Sequence, residues 1–267
     1  MKQNQPIGIF DSGVGGLTVA RVIKQLMPNE SLIYFGDSKH LPYGDKSKEV
    51  IVEYVTQITN FLLSKDCKAI VVACNTATAN ALKEVKALAK TQKIPVFDVI
   101  SPVAEKVAYN FSQNIGVIAT KSTIASHIYK KSIQRLNKHI IVEELATPLL
   151  VPIIEDGFTH HPISEITLKT YLSKKKLKNI DSLILGCTHY PLIFSEVNNY
   201  YQNKIRIFDS PLIVANHVKQ EIERMKLLTE NTTPTYEFFV SDLTPTFKKL
   251  AKKFFGAHIN LEMKMLS

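Results

Sequence analysis

Short β-branched runs alternate with amphipathic stretches from one end of the chain to the other. Residues 7–10, 32–35, 69–73, 96–99, 115–119, 140–142, 183–185 and 205–208 read as strands. Between them, residues 17–27, 77–89, 124–136 and 164–176 carry apolar positions at helical spacing. Strict alternation of this kind predicts right-handed βαβ units and mainly parallel sheets. In such sheets ligands bind beyond the carboxyl ends of the strands, so strand-end residues are the candidates for chemistry. After residue 208 the pattern continues with a helix at 212–228, a strand at 236–240 and a helix at 243–254, and residues 230–234 form a polar loop.

The pattern also repeats. IGIFDS from Ile7 is echoed by IGVIAT from Ile115, VVACNTA around Cys74 by LILGCTH around Cys187, and IPVFDVISP from Ile94 by IRIFDSP from Ile205. The offsets are 108, 113 and 111 residues. Any one pair is the sort of similarity that short apolar strands show by chance, but three in register favour two similar α/β halves. The expected fold is two similar doubly wound α/β domains with mainly parallel sheets, related by a pseudo-twofold, with the active site at their interface.

Composition narrows the class. The chain has 267 residues, 45% hydrophobic and 21% charged, as in an ordinary globular protein of one large or two moderate domains. No apolar run is long enough to span a bilayer, and residues 1–6 lack the features of a secretory signal. Three cysteines without CxxC spacing argue for a reducing compartment, with the cytoplasm as default, and against a disulfide scaffold or zinc site. The net charge of +9 is spread over Lys130 and Lys131, Lys174 to Lys176 and Lys248 to Lys253, so it reads as solvated helix faces, and no nucleic-acid partner is expected.

Each half carries a cysteine at a strand end, Ala-Cys74-Asn75-Thr76-Ala in the first and Gly-Cys187-Thr188-His189-Tyr-Pro191 in the second, and Pro191 suits the first turn of a helix. A thiol at a helix N-terminus is expected to have a lowered pKa. A lone strand-end cysteine is usually a small buried hydrophobe, and Cys67, which precedes its strand, is assigned that role. Two cysteines at duplicate turns suit two-base proton exchange at one carbon, a thiolate removing a proton from one face while a thiol delivers one to the other. The turn Asp11-Ser12-Gly13-Val14-Gly15-Gly16 lacks the lysine of a P-loop and the spacing of a dinucleotide fingerprint. Asp11 either caps a helix or hydrogen-bonds a thiol, and His189 is placed to tune Cys187. Pro42-Tyr43-Gly44 is a candidate pocket wall, and Thr120 and Thr123 are candidates for binding a carboxylate.

In this order and spacing, DSGVGGLT, PYG, ACNTA and GCTHYPL resemble the glutamate racemases of the aspartate/glutamate racemase superfamily, from Ile7 to about Asp209. The resemblance implies that Cys74 acts on D-glutamate and Cys187 on L-glutamate, with Asp11 and His189 as their auxiliary groups. It implies substrate contacts from Ser12, Tyr43, Asn75, Thr76, Thr120 and Thr188, and it matches Glu155 to a carboxylate assisting near the second cysteine. Thr147 stands where relatives commonly carry Cys. The same resemblance implies no pyridoxal phosphate and no metal, D-glutamate for peptidoglycan as product, and a first domain of residues 1–98 plus 209–267 around a second of residues 99–208. A homodimer is the expected assembly. Other readings are a racemase for aspartate or another amino acid, a thiol redox or anion-sensing protein, and a nucleic-acid-binding module.

Overall fold

The computed structural model describes residues 3–110, 113–256 and 259–266. Among them are strands β1 (Ile7–Asp11), β2 (Leu32–Gly36), β3 (Ala69–Val72), β4 (Val96–Asp98), β5 (Asn114–Ala119), β6 (Ile141–Ala146), β7 (Ser182–Gly186), β8 (Arg206–Phe208), β9 (Tyr236–Val240) and β10 (Leu261–Met263). They form two sheets, ordered β10-β9-β2-β1-β3-β4 and β6-β5-β7-β8. Every pairing is parallel. The order β2-β1-β3-β4 recurs as β6-β5-β7-β8, so the three sequence echoes correspond to β1 and β5, β3 and β7, β4 and β8.

Both faces of the larger sheet are covered at its centre, which is why β1, β2 and β3 are buried throughout rather than alternating. Ile7, Ile9, Leu32, Tyr34, Ala69 and Val71 face the helices Leu17–Leu26 and Ser210–Arg224. Phe10, Ile33, Phe35, Ile70 and Val72 face Lys48–Ser64 and Asn75–Lys90. Val214, Val218 and Ile222 recur every four residues on helix Ser210–Arg224 and are fully buried. Each such side chain contributes about 1.5–3 kcal/mol on leaving water.

Four local expectations need correction. The stretch 124–136 is two helices, Lys121–Ser126 and Ile128–Leu136, because His127 takes a left-handed conformation (φ 55°) that ends the first. The strand expected at 140–142 is Ile141–Ala146, its Glu143 and Glu144 being polar positions on a sheet edge. Pro191 is the second residue of a 3₁₀ turn, Tyr190–Ile193, and the α-helix starts only at Phe194. β10 was not anticipated; its residues are half-buried or exposed at an edge. Among the described residues no helix is long and apolar enough to cross a membrane.

Candidate active site

The carboxyl ends of β1, β3, β5 and β7 converge on one cavity of about 300 Å³. Ser12, Pro42, Tyr43, Gly44, Cys74, Asn75, Thr76, Thr120, Glu155, Cys187, Thr188 and His189 line it. Two predicted residues stand one layer behind. Asp11 is buried and its Oδ2 accepts from the Gly13 N–H at 3.1 Å, so it braces the turn instead of capping helix Leu17–Leu26. Thr123 supports Thr76 and Thr120, with hydroxyl separations of 3.4 and 3.0 Å. Thr76 and Thr120 are themselves 2.9 Å apart, although one belongs to each sheet's set of turns.

Cys74 ends the segment after β3 and caps helix Asn75–Lys90, its sulfur accepting from the Ala77 N–H at 3.4 Å. Its thiol also lies 3.6 Å from Ser12 Oγ. Contrary to the expectation of a lowered pKa, burial and the Asp11 carboxylate push this thiol well up, outweighing the helix N–H and Ser12. Cys74 therefore holds its proton near neutral pH. Burial raises Asp11 as well, against the lowering influence of His189 and the turn amides. Cys67, packed against Gly8 away from the cavity, is pushed up to about 12 by burial.

Around the second cysteine the electrostatics differ. His189 Nδ1 lies 3.7 Å from Cys187 Sγ and its Nε2 lies 2.8 Å from Glu155 Oε1. Burial alone would lower the imidazole pKa, but hydrogen bonds and charge at Cys187 and Glu155 raise it well above the usual value. Phe254 closes the ring's edge at 5.4 Å. Across the seam, Thr18 Oγ1 donates to the Thr188 carbonyl at 3.1 Å. A Cβ on Gly15 would lie 2.5 Å from His189 Nδ1 and run into Thr188 Oγ1, so only glycine allows this approach.

Tyr43 is fixed from behind by Asp37, to which its hydroxyl donates at 2.6 Å. Asp37, itself buried, also receives Ser241 Oγ at 2.7 Å from beyond β9. The sequence reading passed over Val151 and Pro152 as lining groups; their position one helical turn before Glu155, on helix Leu150–Glu155, is the signal that points to them. Thr147, noted only as a departure from relatives, also lines the cavity, and its hydroxyl is 2.7 Å from Tyr190 OH. Among the described residues no three His, Cys, Asp or Glu side chains are grouped as a metal ion would need.

Two thiols from duplicated strand ends thus line one hydroxyl-rich cavity at the carboxyl ends of two matched parallel α/β sheets. The Asp/Glu/hydantoin racemase family model matches residues 17–218, and the chain belongs to that family. Its relatives include the glutamate racemase of Neisseria meningitidis serogroup C, 40% identical over 256 residues covering 95% of this chain and 94% of that one. The glutamate racemase of Geobacter metallireducens is 41% identical over 255 residues, 95% of this chain and 93% of its own. The crystal structure of glutamate racemase from Francisella tularensis in complex with D-glutamate superposes with a TM-score of 0.93 at 37% identity, covering 99% and 98% of the two chains. Within the family the chain falls in the glutamate racemase branch.

Proposed function

We propose that the protein interconverts L- and D-glutamate by a two-cysteine, cofactor-independent mechanism, and in the cytoplasm supplies D-glutamate for peptidoglycan. The observation that carries this reading is that Cys74 and Cys187, at matched positions of two matched sheets, line one cavity. From L-glutamate, Cys187 Sγ takes the Cα proton and the Cys74 thiol delivers one to the opposite face, leaving D-glutamate; the reverse direction exchanges the roles. Burial and Asp11 favour the protonated form of Cys74, which suits it as the donor to the L-derived carbanion. His189, held cationic between Cys187 and Glu155, places positive charge beside the second sulfur. Ser12, Asn75, Thr76, Thr120 and Thr188 are the donors for two carboxylates, with Thr123 holding two of them in place. The division of the chain at residues 98 and 209, and a homodimer, belong to the same proposal.

The test is incubation of extensively dialysed protein with L-glutamate, reductant and chelator in D₂O, followed by chiral chromatography and mass spectrometry. D-glutamate carrying one deuterium at Cα is expected, with aspartate turned over much more slowly and alanine not at all. Activity that depends on added pyridoxal phosphate or metal, or equal rates on all three amino acids, overturns the reading. Light scattering gives the assembly, expected at twice the chain mass.

A further inference from the structure

We propose that Tyr129 is a positioning residue for racemisation, fixing the Asn75 side-chain amide across the seam so that its NH₂ group faces a substrate carboxylate. The inference rests on the reading of Asn75 as a substrate contact and goes beyond it. Tyr129 lies on helix Ile128–Leu136, among the second sheet's helices, and is fully buried. Its hydroxyl donates to Asn75 Oδ1 at 2.7 Å, and Asn75 opens the helix that Cys74 caps. A Cβ on Gly186 would come within 3.1 Å of the Tyr129 ring, so the ring lies under the strand end that carries Cys187. One side chain thus touches the neighbour of each cysteine.

An asparagine amide offers an acceptor and a donor, and which one meets the substrate depends on what holds the other. Burial, Asp98 and Cys187 push the Tyr129 phenol up, so it keeps its proton and must donate. Donation to Oδ1 turns the NH₂ group the other way. Asn75 Nδ2 is buried without a hydrogen-bond partner among the described residues, while Asn75 lines the cavity. A buried donor left unpaired is costly, and a carboxylate oxygen in the cavity removes that cost. The reversed amide would set Oδ1 against the same carboxylate. The aim of Tyr129 is set by the helix break: His127, in its left-handed conformation, is pinned by Glu144 Oε2 at 2.6 Å from Nδ1, and the new helix starts one residue before Tyr129.

The experiment compares kcat and KM for L-glutamate in Tyr129→Phe, Asn75→Ala and the double variant, with melting temperatures measured in parallel. Tyr129→Phe is expected to raise KM about 5- to 10-fold with a smaller change in kcat, as for lost binding common to ground and transition states. The double variant should match Asn75→Ala alone, because the hydroxyl acts through that amide. Asn75→Asp keeps an acceptor for Tyr129 but removes the NH₂ group; it should raise KM at least as much as Asn75→Ala while melting near the wild-type temperature. Additive losses in the double variant, or a fall in kcat and melting temperature at unchanged KM, overturn the proposal for Tyr129 alone. If Asn75→Ala and Asn75→Asp both leave KM unchanged, the substrate contact and this inference fall together.

Discussion

Glu155 and His189 come from different elements, 34 residues apart, yet their Oε1 and Nε2 atoms meet at 2.8 Å. This contact sits on the far side of the imidazole from Cys187, so the ring is held between two acceptors. With a folded-state pKa raised above the unfolded value near 6.5, His189 adds stability that is fully present below about pH 6.5. That stability is lost as pH rises through the higher folded value.

Glu155→Gln removes one of the causes of that raised pKa. The alkaline limb of kcat/KM, recorded from pH 6 to 10, should move to lower pH in this variant. Stability at pH 6 should fall by roughly 1 kcal/mol, the difference between a charged and a neutral acceptor for the same hydrogen bond, and by less at pH 9. An unmoved limb would show that Glu155 does not hold the His189 proton.

The two cysteines should be separable by chemistry that needs only one base. Replacing either with Ser should reduce racemisation roughly 100-fold or more. A glutamate analogue bearing a leaving group on Cβ loses it after a single proton abstraction. Cys187→Ser should therefore still eliminate from the D-configured analogue, and Cys74→Ser from the L-configured one. The same enantiomer preference in both variants sinks the two-thiol mechanism.

Gly15 tests the close packing at the seam. In Gly15→Ala the methyl group must displace His189 or Thr188. Misplacement of about 1 Å at a reacting centre costs on the order of 100-fold, so kcat/KM should drop by that order. Wild-type kinetics in a folded Gly15→Ala protein would mean that this side of the cavity tolerates rearrangement.

Lys68 offers a contrast far from the chemistry. Its fully buried ammonium pairs with the buried Glu30 and donates to the carbonyls of Gln3 at 2.6 Å and Leu227 at 2.8 Å. Lys68→Met leaves Glu30 buried without its counter-charge, at a cost of roughly 3–5 kcal/mol. Calorimetry should show a melting temperature lower by on the order of 10 °C, with kcat unchanged at temperatures where the variant is folded. A shift below about 2 °C would mean that the pair contributes little.

What could be read from the sequence was what is written locally. The duplicated strands and the turns at Cys74 and Cys187 are contiguous words, and their apolar runs sit in sheets buried on both faces. The break at His127 was not legible, because neither Gly nor Pro marks it; it is held by Glu144, 17 residues on. The pKa of Cys74 was misjudged because the turn shows the helix start but not the burial, nor the nearness of Asp11 from 63 residues earlier. Asp37 behind Tyr43, and Tyr129 behind Asn75, depend on contacts that no periodicity encodes.

The pairing of Leu32 with Tyr236, which brings β9 against β2, carries a consequence for the order in which the molecule assembles during translation. Strands β5 to β8 form a sheet from one uninterrupted stretch, residues 114–208, and can close as soon as that stretch leaves the ribosome. The sheet built on β1 emerges first but waits for residues 236–263 to cover the edge of β2. The nascent chain thus holds an unfinished strand edge while its later portion matures, the reverse of the usual amino-terminal-first sequence. A premature stop between residues 208 and 236 would leave one finished sheet beside another whose β2 edge has no partner strand.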